Sequence, residues 1–219
     1  MIQEITLHKP LPHVFRGMEH MAPVSESQIW LHDVTFNKPD YYLIEAESGT
    51  GKSSLCSFIY GNRGDYEGTI TFDGRDVRSF SIEEWCELRK KALGYLPQEM
   101  HLFPELTVAE NILIKNRLTD CKSQEWINHA LQRLEIDNKL NTPAALLSVG
   151  QQQRVAIIRA LCQPFDFMLI DEPVSHLDAR NNSIVASLIE EEARNNGAAI
   201  IATSVGNKIN IPITTTFML

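Results

Sequence analysis

The eight residues Glu47-Ser48-Gly49-Thr50-Gly51-Lys52-Ser53-Ser54 constrain this chain more than any other stretch. The apolar run 41–44 precedes them, and residues 55–60 follow as the apolar body of a helix. Strand, glycine-rich turn and helix is the context of a phosphate-binding loop. Glycines let successive backbone N–H groups turn inward, and the helix N-terminus adds its dipole. Lys52 is then placed to reach the β- and γ-phosphates of a nucleotide, and the Ser53 hydroxyl to bind Mg²⁺. Ser48, Gly49, Thr50, Gly51 and Ser54 complete the candidate cradle. The pattern G-x-x-x-x-G-K-[ST] asks for glycine where this chain has Ala46. A positive φ there would cost an alanine roughly 1–2 kcal/mol, whereas a requirement for small size alone costs far less. In isolation, a serine- and glycine-rich surface turn is the alternative reading of these residues.

The 219 residues can bury a sizeable core, as one large domain or two small lobes. With 43% hydrophobic and 22% charged residues, the composition is that of a soluble globular protein. A formal net charge of −8 argues against a nucleic-acid partner, because binding a phosphate backbone needs a basic stripe. No apolar run reaches the roughly 18 residues of a membrane span, and no basic-then-apolar leader opens the chain. The expectation is a cytosolic protein whose membrane association comes through a partner, with no direct insertion. Cys56, Cys86, Cys121 and Cys162 form no C-x-x-C pair, so zinc is not expected. All four lie in stretches that read as helix, as buried or half-buried free thiols.

Taken in order, residues 2–7 alternate as a half-buried strand, 8–12 read as a proline-punctuated loop, and 28–36 as a second strand. Residues 69–72 form a strand ending in the Asp73-Gly74 turn. These β elements predict an antiparallel layer beside a parallel core sheet. A helix over 82–89 leads to a buried strand at 93–96, which stops at Pro97-Gln98. Residues 107–150 carry apolar positions at helical spacing with no strand pattern, and we read 104–150 as a helical lobe inside an α/β chain. A helix over 151–161 follows. The apolar run 167–170 ends in Asp171-Glu172, as a buried parallel strand delivers carboxylates to a sheet edge. A helix over 182–193 and strands at 198–203 and 213–217 close the sheet.

At Leu147-Ser148-Val149-Gly150-Gln151-Gln152-Gln153-Arg154 the chain resembles the L-S-G-G-Q signature of ATP-binding cassette (ABC) ATPases and its Q-Q-R continuation. Asp171 lies 21 residues after Gly150, room for one helix and a turn into the strand. Asp171-Glu172-Pro173 is similar to the family's Walker B segment with its adjacent glutamate. Ser175-His176-Leu177-Asp178 is similar to its D-loop, and Tyr95-Leu96-Pro97-Gln98 to its Q-loop. The resemblance spans nearly the whole chain as a single ABC ATPase domain. Residues 1–103 and 151–219 would form the nucleotide-binding α/β core, and 104–150 the helical subdomain. The run 68–111 and the chain length resemble the small cassettes of lipoprotein-release, macrolide-export and cell-division transporters.

The resemblance implies a P-loop core with ATP and Mg²⁺ as ligands. Asp171, Ser53 and Gln98 would hold the metal. Glu172 would act as general base or orient the attacking water, with Lys52 and Gln98 as its catalytic companions. Ser148, Gly150 and Gln151 would close over the γ-phosphate of a nucleotide held by a second copy or related cassette, Asp178 would communicate across that dimer, and an integral membrane permease would dock near Gln98. Each has a plainer reading: Ser148 as a helix N-cap, Gln98 as a surface glutamine, His176 as a solvated loop histidine, and Trp30, Trp85 and Trp126 as core packing.

Three departures bear on activity. Ser204 occupies the position of the family's switch histidine, and losing one such transition-state donor costs on the order of 10²–10³ in rate. Val149 stands at a glycine position of the signature, and Ala46 is the third. The family's adenine-stacking aromatic has no tyrosine counterpart here, leaving Phe15 or His13 as substitutes. Two functions follow: a working but slow ATPase driving a transporter, or a cassette that binds ATP and dimerises as a switch with little turnover. A non-transport cassette acting in DNA repair or translation would carry a long coiled coil or a second cassette, which this sequence lacks.

Overall fold

The computed structural model describes residues 1–174 and 177–219. Two sheets carry the fold. The first is antiparallel and four-stranded, in the order β2-β1-β4-β5, from β1 (Glu4–Pro12), β2 (Asp33–Asn37), β4 (Tyr66–Phe72) and β5 (Arg75–Asp76). The second has the order β6-β7-β8-β3-β9, from β3 (Tyr41–Glu45), β6 (Leu93–Leu96), β7 (Phe167–Asp171), β8 (Ala199–Ser204) and β9 (Thr215–Met218), paired in parallel throughout. Among the described residues six α-helices accompany them: α1 (Lys52–Ile59), α2 (Ile82–Lys91), α3 (Val108–Asn116), α4 (Gln124–Arg133), α5 (Val149–Leu161) and α6 (Ala179–Asn196). This is the expected α/β class, with its antiparallel layer beside a parallel sheet and a helical segment between β6 and β7.

Buried strands on both faces of a sheet need apolar residues at every position, and β3, β7 and β8 supply them. Tyr41, Leu43, Met168, Ile170, Ile200 and Ala202 face one core, packed against α3 to α6. The alternate residues Tyr42, Ile44, Phe167, Leu169, Ala199 and Ile201 face a second core, shared with α1 and the antiparallel sheet. The period of two thus sends each strand into both cores and fixes its register.

The expected loop at 8–12 is instead the second half of β1. Its pairing with β2 ends at His8↔Asp33, and its pairing with β4 shifts there and resumes at Leu11↔Glu67 and Pro12↔Tyr66. Pro10 lies in the irregularity itself and Pro12 where β4 is the one strand partner, positions that suit proline. The other edge keeps two bonds, from the Lys9 N–H to the His32 carbonyl at 3.1 Å and from the Leu31 N–H to the Pro10 carbonyl at 3.0 Å. Residues 28–32, expected in a strand, form turns. The Ser27 hydroxyl accepts from the N–H groups of Ile29 and Trp30 at 3.0 and 2.8 Å, and Leu31 takes φ 63°. A serine side chain that captures local N–H groups competes with a strand ladder. Cys121 lies between α3 and α4 and Cys162 caps α5, so neither sits inside a helix; Cys86 is exposed, not buried or half-buried. Trp30 is core, as expected, and Trp85 and Trp126 pack against the cores partly buried.

Candidate functional site

The loop between β3 and α1 owes its shape to two glycines in the left-handed region, Gly49 at φ 87° and Gly51 at φ 101°. A Cβ at Gly51 would also lie 2.9 Å from the Trp30 ring, so both conformation and space demand glycine there. Ala46 is not among the positive-φ residues, so the small-size requirement, not the strained one, applies to it. The loop is clasped internally: the Thr50 hydroxyl and the Lys52 ammonium both donate to the Glu47 carbonyl, each at 2.9 Å. Trp30 Nε1–H donates to the Thr50 carbonyl at 3.0 Å and braces the loop from the core.

Helix starts leave orphan N–H groups, and five of the six α-helices satisfy one with a capping side chain, from Ser81, Thr107, Ser123, Ser148 and Asp178. The exception is α1, whose N-cap is Gly51 with no side-chain cap. Its first turn therefore presents backbone N–H groups and the positive end of the helix dipole to whatever sits in the loop, an anion site by construction. Ser53 is exposed at this end, while the Ser54 hydroxyl accepts from Arg63 at 2.9 Å.

Opposite the loop, β7 ends in the two carboxylates. Asp171 is 2% exposed, and the Thr203 hydroxyl donates to its Oδ1 at 2.6 Å. The same hydroxyl accepts from the Glu172 N–H at 3.2 Å, with Glu172 held at φ 50°. Glu172 Oε1 lies 3.7 Å from Lys52 Nζ, and Gln98 Nε2 donates to Glu172 Oε2 at 3.4 Å. Lys52, Gln98 and Glu172 thus converge beside Asp171. Burial, and then the Asp171 charge, push the Cys56 thiol well up, so it stays protonated under the site. The carboxylate pair, the Ser53 hydroxyl and the Gln98 amide oxygen are the oxygen ligands that Mg²⁺ takes, and the Lys52 ammonium with the loop N–H groups is what phosphate takes, so these residues fit both.

The remaining sequence candidates lie elsewhere. Ser148 and Gln151 form a reciprocal capping box at the start of α5, with Gly150 between them and Val149 half exposed at the first helical position. Asp178 caps α6, accepting from the Asn181 N–H at 2.8 Å, which holds its carboxyl below the usual range. Among the described residues no hydrogen bond or ion pair joins these groups to the loop. Ser175 and His176 of the expected D-loop lie outside the described residues. Ser204 ends β8 opposite Glu45, and its carbonyl accepts from the Ala46 N–H at 3.2 Å. Its buried hydroxyl donates to the Asn207 carbonyl at 2.9 Å. A cavity of about 530 Å³ opens beside it, lined also by Ala46, Glu47, Ser48 and Gly49. Phe15 is buried against Trp30, 6.4 Å between ring centres, and His13 is half-buried.

Sequence reading missed Thr203 and Trp30 as parts of the site. The hydroxyl of Thr203 meets Asp171 only because β7 and β8 pair in the register Asp171↔Thr203.

A left-handed glycine loop, an uncapped helix and a carboxylate pair delivered two strands away define a phosphate-loop α/β protein. The family model described as ABC transporter matches residues 32–175. LolD, the lipoprotein-releasing system ATP-binding protein of Leptospira interrogans serogroup Icterohaemorrhagiae serovar Lai (strain 56601), is 33% identical over 167 residues, covering 75% of this chain and 70% of that protein. The ABC transporter ATP-binding protein YtrE of Bacillus subtilis (strain 168) is 33% identical over 191 residues, covering 85% and 80%. The dimeric structure of MJ0796, a bacterial ABC transporter cassette, superposes with a TM-score of 0.73 at 23% identity over 91% of this chain and 87% of that one. The chain belongs to the ABC transporter family, as an ATP-binding cassette of the lipoprotein-release and macrolide-export type.

Proposed function

We propose that this cassette binds ATP with Mg²⁺ in the loop of residues 46–54, hydrolyses it slowly, and drives an integral membrane permease as one half of a cassette dimer. The observation that carries the reading is the α1 N-terminus, the one α-helix start among the described residues with no side-chain cap, whose first residue Lys52 pairs with Glu172 beside Gln98. The loop N–H groups and Lys52 would hold the β- and γ-phosphates. Mg²⁺ bound by Ser53, Asp171 and Gln98 would neutralise phosphate charge. Glu172 would orient the attacking water and take its proton, and Gln98, bonded to the Glu172 carboxylate, would fix that carboxylate's rotation. Thr203 would hold the Asp171 carboxylate, and through the Glu172 N–H would hold the backbone that aims the base.

Ser148, Gly150 and Gln151 stand apart from this chain's own loop, which supports their acting on a nucleotide held by a second cassette, with Asp178 at the same seam. Val149 points outward at the start of α5, so its added bulk would meet that second cassette and not this chain's own core. A groove of about 270 Å³ beside Gln98, lined by Tyr95, Pro97, Phe103 and Ile114, supports docking of a permease segment. Phe103 and Ile114 are 49% and 42% exposed there. No helix among the described residues is long and apolar enough to cross a membrane, in keeping with peripheral association at the cytoplasmic face. Residues 1–103 and 151–219 would act as the core and 104–150 as the lobe that meets the permease.

The buried hydroxyl of Ser204, committed to Asn207 and without charge, supports slow turnover and keeps the switch reading alive. Sedimentation of Glu172→Gln with MgATP tests the assembly. The reading expects a dimer that disperses when ATP is replaced by ADP, and a monomer in both nucleotides would contradict it.

A further inference from the structure

We infer that Arg159 is a positioning residue for Gln98, and that it ties the Gln98 segment to the helix headed by Ser148. The inference rests on the hydrolytic reading above only for its kinetic arm. After the Pro97–Met100 turn, in which the Met100 N–H donates to the Pro97 carbonyl at 3.0 Å, the chain enters two successive left-handed residues. Met100 has φ 60° and His101 φ 47°, and neither is glycine. Non-glycine residues hold such conformations only where surrounding contacts over-determine them.

One distant side chain supplies the contacts to both of their carbonyls. Arg159, on α5, donates through one nitrogen to the Met100 carbonyl at 2.5 Å and through the other to the His101 carbonyl at 2.8 Å. A planar guanidinium can bridge two neighbouring carbonyls in this way, and a lysine ammonium does not reproduce the fork. Two residues before Met100 stands Gln98, whose amide reaches Glu172 Oε2 at 3.4 Å, the long end of a hydrogen bond. A contact that marginal depends on where the backbone holds Gln98, and Arg159 fixes that backbone. The other end of α5 carries the Ser148–Gln151 capping box. One helix therefore links the amide beside the base to the surface offered to a second nucleotide.

The test compares Arg159→Lys and Arg159→Met with the native chain in the intact protein. Amide hydrogen exchange over residues 98–102 reads the positioning directly. It is expected to accelerate about tenfold or more in both variants, since each loses at least one charge-assisted hydrogen bond, while exchange in β7 and β8 stays as in the native chain. Steady-state kinetics with MgATP are expected to show kcat down about tenfold and KM within about twofold. In a Gln98→Ala background, Arg159→Met is expected to change kcat by less than about twofold, because residues acting as a unit are not additive. Unchanged exchange at 98–102, exchange equally fast throughout the chain, or additive losses in kcat would overturn the inference. Should the native chain show no hydrolysis, the functional reading fails and the exchange arm alone still decides the role of Arg159.

Discussion

Replacing Thr203 by valine removes one hydroxyl and leaves the shape of the side chain nearly unchanged. The Asp171 Oδ1 atom loses a donor at 2.6 Å, and the Glu172 N–H loses its acceptor at 3.2 Å, in a place where Thr203 is 1% exposed. A hydrogen bond to a buried charged group contributes about 1.5–3 kcal/mol, and an orphaned buried N–H costs about 1–3 kcal/mol. The N–H bond is the longer one and Glu172 is half-buried, so its share belongs at the bottom of that range. A total of about 3 kcal/mol follows. At about 2–4 °C per kcal/mol for a chain of this size, the melting temperature should fall by roughly 6–12 °C. Thr203→Ser keeps the hydroxyl and loses one methyl group, about 1 kcal/mol and roughly 2–4 °C. Differential scanning calorimetry without nucleotide reads both. If valine and serine lowered the melting temperature equally, the hydroxyl bridge would not be what holds the carboxylate pair.

Three further outcomes follow from the same structure. Lys52→Met should weaken ATP binding by at least tenfold in isothermal titration while leaving the fold intact by circular dichroism, because among the described residues Lys52 donates to the Glu47 carbonyl and pairs with the Glu172 carboxylate, both at the site. Glu192, 2% exposed, accepts from the Trp126 indole at 2.8 Å and pairs with the Lys122 ammonium, pinning α4 to α6. Glu192→Ala strands that cation and should cost about 3–5 kcal/mol in urea denaturation, with Glu192→Gln costing less since it still accepts from the indole. Burial pushes the Cys162 thiol up to about 12. A raised acid favours folding in its protonated form, so this contribution is complete below about pH 9 and is lost as pH rises toward 12. Cys162→Ala should therefore flatten the alkaline loss of stability between those values, and at pH 8 a thiol reagent should label the exposed Cys86 first.

Much of this fold could be read in advance where local pattern and tertiary demand coincide. The strand at 93–96 and the run 167–170 before Asp171-Glu172 are each four residues long, almost wholly apolar and bounded by breakers, the pattern of a strand buried on both faces. Ser148 reads as an N-cap because its capping box is local, closed within three residues. The misreadings have physical causes of equal clarity. Two prolines made 8–12 look like a loop, yet Pro10 falls in the irregularity of β1 and Pro12 where β4 is its one strand partner, so the strand tolerates them. Residues 28–32, read as the start of a strand, became turns because the Ser27 hydroxyl captured two N–H groups. Thr203 and Arg159 left no local trace at all. Their partners lie 32 and 58 or 59 residues away in sequence, and meet them only through sheet register and helix placement.

On the proposed reading the loop, Lys52 and the Asp171–Glu172 pair form a working but weakened hydrolytic site. The most direct measurement is phosphate release from MgATP by the native chain, Glu172→Gln and Ser204→His, with binding measured beside it. The cavity of about 530 Å³ beside Ser204 leaves room for an imidazole facing the loop. The account predicts slow release by the native chain, loss in Glu172→Gln with binding retained, and acceleration in Ser204→His. Release that survives Glu172→Gln undiminished would contradict it.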